Sequence, residues 1–203
     1  MGPATAVAAQ ASAAPSDRSA TIEPVFVLGV DPGLSRCGYC VLEVRPSARS
    51  LKSRAVALGV LRTSPDAAVP DRLAELWADV RGLLDEYRPV AVAIERVLFQ
   101  SNVRTAMSVG QASGVVMAEA ATRGLQVAEY SPNQVKDAVA GYGAADKQQV
   151  QQMVQLLLDL DAPPRPADAA DAAAIALTHV AFESGTLAAA GRAVADTAGR
   201  AAR

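Results

Sequence analysis

Residues 25–33 read VFVLGVDPG. Six apolar residues run straight into an acid, a proline and a glycine, the pattern of a buried strand closed by a tight turn. GYCVLEV at 38–44 and RAVALGVLR at 54–62 have the same strand-like composition. Three short strands in succession predict an antiparallel meander. The period then changes. Leu73, Leu76, Trp77, Val80, Leu83, Leu84 and Tyr87 recur at helical spacing, and Pro70 and Asp71 suit the helix start.

Pro89 introduces a second short core strand, VAVAIE at 90–95, which also ends on an acid. A helix rich in small residues is expected over 103–123, with Gly124 at its stop, followed by a strand at 125–130. Ser131 and Pro132 read as the cap and first turn of a short helix. Residues 145–159 form another helix with Val150, Met153, Val154, Leu157 and Leu158 on one side. The prolines from Pro163 to Pro166 break the chain before a last helix at about 167–183. The order is α/β, and it predicts a mixed sheet with helices on its faces.

A length of 203 residues fits one domain with a sizeable core. We place that domain at 23–184, after a disordered Ala-rich tail at 1–22 and before a flexible Ala/Gly/Arg tail at 185–203. Alanine favours helix, so the second tail has the composition to extend one. No apolar run approaches the ~18 to 20 residues of a membrane span. The start lacks the basic and apolar regions of a secretory signal. The two cysteines, Cys37 and Cys40, spell CGYC inside a strand-like stretch, with no second pair and a single histidine in the chain. A zinc site needs more ligands and a redox pair belongs at a helix N-terminus, so ordinary strand cysteines in a reducing cytoplasm are expected.

Charge argues at first against a nucleic-acid partner. The net charge is −2, whereas domains that grip DNA usually carry a basic excess. Part of the deficit comes from acids in places that call for a cation. Asp31 and Glu95 each end an apolar strand, where an ionised carboxylate is costly unless paired. Alone, each also reads as a simple exit to solvent. The stretch ADAADAAA at 167–174 shifts the balance. Its Asp168 and Asp171 share a helix face three residues apart, and like charges at that spacing repel. A position in the first helical turn accounts well for Asp168 but less well for the pair. Four carboxylates without a His or Cys cluster favour a hard metal, magnesium or manganese, over zinc or copper. Two such ions about 3.5 to 4 Å apart are the usual apparatus of phosphodiester hydrolysis.

Five stretches in this order, GVDPGLSRCGY, AIERV, PNQVKDAV, GAADKQQV and PADAADAAAIALTH, resemble the bacterial RuvC family of Holliday junction resolvases over about residues 25–182. DPG alone is a weak signal; the ordered set is specific. The resemblance implies an RNase H-like fold with a five-stranded mixed sheet flanked by helices. It implies that Asp31, Glu95, Asp168 and Asp171 are the catalytic, metal-binding carboxylates, holding two Mg²⁺ or Mn²⁺ ions. It further implies a homodimer that makes paired nicks in strands of like polarity at a four-way DNA junction, with the branch-migration proteins RuvA and RuvB as partners. Lys136 and Lys147, two of only three lysines, match basic positions of the family and are expected to bind phosphate.

One loop departs from the family. Many relatives carry a Phe three residues after the strand-ending Glu, but here that residue is Leu98, followed by Phe99. Either Phe99 stacks on crossover bases or Leu98 wedges among them. A stacked aromatic contributes on the order of 1 to 3 kcal/mol per base. Arg96, Gln100, Asn102 and Arg104 would give the loop polar reach to DNA. Gly110, Ala112, Ser113, Gly114 and Ala118 fit either tight packing on the sheet or a nearby dimer contact. Two other enzyme classes fit less well. Another RNase H-like nuclease does not explain ADAAD with the lysine segments. A sugar-kinase or actin-like ATPase needs a second Gly-rich phosphate turn that is missing. A junction binder without catalysis has no use for four carboxylates.

Overall fold

In a computed structural model, residues 23–46, 51–96 and 103–201 are described. Three strands form the predicted meander: β1 (Val25–Asp31), β2 (Arg36–Pro46) and β3 (Leu51–Arg62). Helix α1 (Val69–Tyr87) carries the chain back to β4 (Ala91–Glu95), and α2 (Val103–Thr122) carries it to β5 (Gln126–Tyr130). Four helices follow: α3 (Pro132–Ala140), α4 (Lys147–Leu157), α5 (Ala167–Phe182) and α6 (Ser184–Ala201). The sheet order is β3-β2-β1-β4-β5, antiparallel through the meander and parallel from β1 to β5. No single described helix is long and apolar enough to cross a membrane.

The alternation of a strand sorts β1 between two cores. Leu28 and Val30 join Val92 and Ile94 beneath Leu76, Val80 and Leu84 of α1 and Ala112, Val116 and Ala120 of α2. Val25 and Val27 face the other way, with Cys40, Leu42 and Ala93, toward α3, α4, α5 and α6. The period puts Asp31 and Glu95 on this second face. Both lie at the C-terminal ends of adjacent parallel strands, one step beyond the Val30–Ile94 pair. Strand ends of this kind are where open α/β sheets place their sites.

Helix α5 crosses the second face over β1 and β2, and its backbone nearly touches them. A Cβ at Gly29 would run into the carbonyl oxygen of Ala172, and one at Gly38 into that of Asp168. Small residues on both sides permit this approach: the buried part of α5 includes Ala169, Ala170, Ala172, Ala173 and Ala176. Of the small residues of α2, Ala112 packs in the first core and Ser113 is buried, whereas Gly110 and Ala118 are exposed.

Local signals read in the sequence set several boundaries. Ser131 caps α3 through a capping box with Gln134, and the φ of Gly124 is +70° after α2. The helix expected at 145–159 is shorter than its apolar pattern, because Asp146 forms a capping box with Gln149 and fixes the start at Lys147. The flexible tail expected from 185 is corrected over the described residues. Residues 184–201 are helix α6, anchored by the buried Leu187 and by a bond from the Glu23 N–H to the Gly191 carbonyl. One leucine among good helix formers is enough to dock a terminal helix, although its composition looks like a linker. The 1–22 tail lies outside the described residues.

Gly38→Ala tests the close approach of α5. Forcing a methyl group against backbone is expected to destabilise the fold by about 1–3 kcal/mol, read as a lower denaturant midpoint. An unchanged midpoint would mean that α5 does not lie against β2 as described.

Candidate active site

The four sequence-selected carboxylates gather at one edge of the sheet. Strand ends supply Asp31 and Glu95, and the first turns of α5 supply Asp168 and Asp171. All four are partly buried. Burial pushes the Asp31 carboxyl up to about 7, reinforced by the charges of Glu95, Asp171 and Asp168 and opposed by Lys147. Burial and the neighbouring Asp171 also raise Glu95. Glu43 on β2 provides the contrast. It is buried as well, but Arg54 and Arg45 bond its two oxygens and hold it below the usual carboxylate range. A buried acid at the far end of the sheet thus has guanidinium partners, whereas Asp31 faces three other acids.

Two cations reach this edge. The Lys147 ammonium, on the first residue of α4, donates to Asp171 Oδ2 at 2.6 Å. Arg36, the first residue of β2, donates from Nε to Asp168 Oδ2 at 2.9 Å and also from Nη2. Lys136 on α3 lines a cavity of about 300 Å³ together with Glu95, Asp171 and Lys147. The sequence reading found both lysines but missed Arg36. The available signal was its place four residues after the strand-ending Asp-Pro turn, where β2 must start beside Asp31; Asp31 pairs with Gly38 in the sheet.

Arg96 follows Glu95 and is exposed, and its N–H is bonded to the Tyr130 carbonyl at 2.8 Å. Leu98 and Phe99, with Gln100 and Asn102, lie outside the described residues, as does the side chain of Arg104. Cys37 and Cys40 are free, buried, and in opposite cores of the sheet. Their sulfurs therefore point to different faces, which rules them out as a redox or metal pair.

The donor set suits a hard divalent cation: oxygen ligands only, two of them raised by burial and mutual repulsion. Among the described residues no three His, Cys, Asp or Glu side chains converge closely enough to hold an ion in the present rotamers. Asp168 and Asp171 each commit an oxygen to a cationic side chain instead. These exposed partners are the groups an incoming cation would displace.

Strand order, strand-end acids and the crossing helix together define the class: the RNase H-like fold of nucleases. The family profile "Crossover junction endodeoxyribonuclease RuvC" matches residues 27–179. A relative of that name from Pseudarthrobacter chlorophenolicus is 52% identical over 153 residues, covering 75% of this chain and 78% of its own. Another from Streptomyces avermitilis is 54% identical over 154 residues, covering 76% and 86%. Among solved structures, Thermus thermophilus RuvC superposes with a TM-score of 0.73 at 39% identity, covering 80% of this chain and 98% of its own. The same protein in complex with a Holliday junction substrate gives 0.74 at 38% identity, covering 80% and 97%. The yeast mitochondrial resolvase Ydc2 shares the fold at 17% identity and a TM-score of 0.56, covering 88% of each chain. The chain belongs to the RuvC family.

The raised Asp31 carboxyl makes a signed prediction. Below pH about 7 the folded, metal-free protein keeps that proton, whereas the unfolded chain loses it near pH 4. Stability is therefore lost as pH rises from 4 through 7. At pH 8 without metal, Asp31→Asn should melt about 3–5 °C above wild type, and should respond less than wild type to added divalent cation. Thermal melts at pH 5 and 8 with and without the ions check both signs; a variant less stable than wild type at pH 8 contradicts the burial argument.

Proposed function

We propose that this protein is a structure-selective endodeoxyribonuclease that resolves four-way DNA junctions in recombination and repair. The observation that carries this reading is the placing of Asp31, Glu95, Asp168 and Asp171 within electrostatic reach of one another at one sheet edge, in a chain of the RuvC family. A relative of 38% identity has been solved on a Holliday junction substrate, which supports the substrate class.

In this reading the four carboxylates are the catalytic residues and would hold Mg²⁺ or Mn²⁺, two ions per site. Two bound ions would lower the pKa of the attacking water and stabilise the leaving oxygen of an in-line displacement. The protein's own part is positional. Strands β1 and β4 fix Asp31 and Glu95 side by side. Helix α5 fixes Asp168 and Asp171 above them. Arg36 and Lys147 offset negative charge until substrate and metal arrive, and Lys147 and Lys136 then have the reach and the charge for phosphates flanking the cut. Binding of two phosphates by these lysines answers the objection raised by the net charge, because local clustering outweighs the sum.

Paired symmetric nicks in strands of like polarity need two active sites, so the reading includes a homodimer. It also includes RuvA and RuvB as partners, a cytoplasmic location, and a crossover-contacting loop with Arg96, Leu98, Phe99 and Arg104. Phosphates position the enzyme, and the loop then selects the open centre of the junction over duplex.

The decisive experiment incubates the protein with a synthetic four-way junction, a linear duplex and an RNA–DNA hybrid, each with and without Mg²⁺ or Mn²⁺. Metal-dependent symmetric nicks in the junction alone are expected, and Asp31→Asn should abolish them while sparing junction binding. Full nicking by that variant would sink the assignment. Lys147→Ala should slow cleavage and weaken junction affinity on the order of tenfold, measured by single-turnover kinetics and fluorescence anisotropy; unchanged values would remove Lys147 from the phosphate contacts.

A further inference from the structure

A second groove begins where the catalytic edge ends. It has a volume of about 1040 Å³ and runs between α4 and the proline-rich segment before α5. Lys147, Gln148, Gln151 and Gln152 form one wall, and Arg165 stands between Pro164 and Pro166 on the other. Lys147 also lines the cavity that holds Glu95 and Asp171, so the two spaces are neighbours that meet at this side chain. Lys136, Lys147 and Arg165 then mark one basic track that passes the acids.

Three observations fix what the groove can take. The lining contains no carboxylate and no large apolar side chain. Its charged groups, Lys147 and Arg165, are both cationic, which favours an anionic occupant. The second observation is the state of Arg165. It is exposed and makes no side-chain hydrogen bond or ion pair among the described residues, so its guanidinium is available to a ligand in the groove. Its flanking prolines fix φ on either side, so its base is held in place before anything binds. The third is the stripe of amides. Gln148 and Gln152 lie one turn apart, as do Lys147 and Gln151, while Val150 and Val154 of the same helix face the core. Amides donate and accept without charge, which suits sugar and phosphate oxygens.

We propose that this groove carries the sugar–phosphate backbone of the cleaved DNA strand as it leaves the catalytic acids, with Arg165 bonded to a phosphate and Gln148, Gln151 and Gln152 as uncharged contacts. The proposal rests on the junction-nuclease reading above. It extends the protein's hold on DNA beyond Lys136 and Lys147, by way of the wall between α4 and α5.

The test measures junction affinity by anisotropy over a range of salt, for wild type, Arg165→Ala, Arg165→Lys and the triple variant Gln148→Ala/Gln151→Ala/Gln152→Ala. Arg165→Ala should weaken binding on the order of tenfold and reduce the slope of log affinity against log salt by about one, the signature of one lost phosphate contact. Arg165→Lys should keep the slope. The glutamine variant should lose affinity at an unchanged slope. Wild-type affinity and slope in Arg165→Ala would overturn the groove assignment, including the case in which a protein partner is its true occupant. If wild type itself shows no preference for a junction over duplex, the function reading fails first, and the two failures are told apart. Arg165 and the glutamines face solvent or the groove, so far-UV circular dichroism of each variant should match wild type.

Discussion

The near-contact between the backbone of α5 and strands β1 and β2 holds the site together. Gly29 and Gly38 leave no side chain between helix and sheet, and the buried alanines of α5 meet them from above. Any side chain there would push the layers apart; the carbonyl oxygens of Ala172 and Asp168 lie well inside contact distance of where a Cβ would stand on Gly29 and Gly38. Two consequences follow from that one constraint. The first turns of α5 come down beside the ends of β1 and β4, so acids far apart in sequence share one site. The same contact leaves little room for adjustment, because packed interiors do not absorb an added methyl group.

Electrostatics decides how the site is held when four acids meet. Asp31 is pushed up because burial and three neighbours oppose its charge. Lys147 and Arg36 reach in from α4 and β2, each bonded to one acid of α5. Both cations sit on the first residue of an element, where the backbone is set by a capping box or by strand pairing. Their own exposure is considerable, so these ion pairs are held weakly and can be exchanged. A site built this way is stable enough to fold and keeps its cationic partners exchangeable.

Much of this was legible in the chain. The apolar runs told that Asp31 and Glu95 would end core strands, and the 168/171 spacing told that those two acids share a helix face. Caps at Ser131 and Gly124 could be read because their chemistry is local. What could not be read is contact between distant segments. The roles of Gly29 and Gly38 depend on a helix some 140 residues away. Arg36 and Arg165 look like ordinary surface arginines until α5 is in place beside them. The docking of helix α6 was hidden for a related reason: its buried Leu187 and its bond from Glu23 have meaning only against the core it enters. The departure at Leu98 and Phe99 was visible as a difference in letters, but its conformation lies outside the described residues.

The two cysteines carry a practical consequence. Cys37 and Cys40 sit on opposite faces of β2, each sealed in a separate core, and burial pushes both thiols up to about 12. Thiolate is the form that reacts with maleimides and oxidants. The native chain is therefore close to inert toward such reagents while folded. A cysteine introduced at a surface position would be the sole point of attachment for a fluorophore or spin label. Conformational reporters can then be installed along the groove between α4 and α5 without first removing the natural thiols, and with them the core packing that those thiols supply.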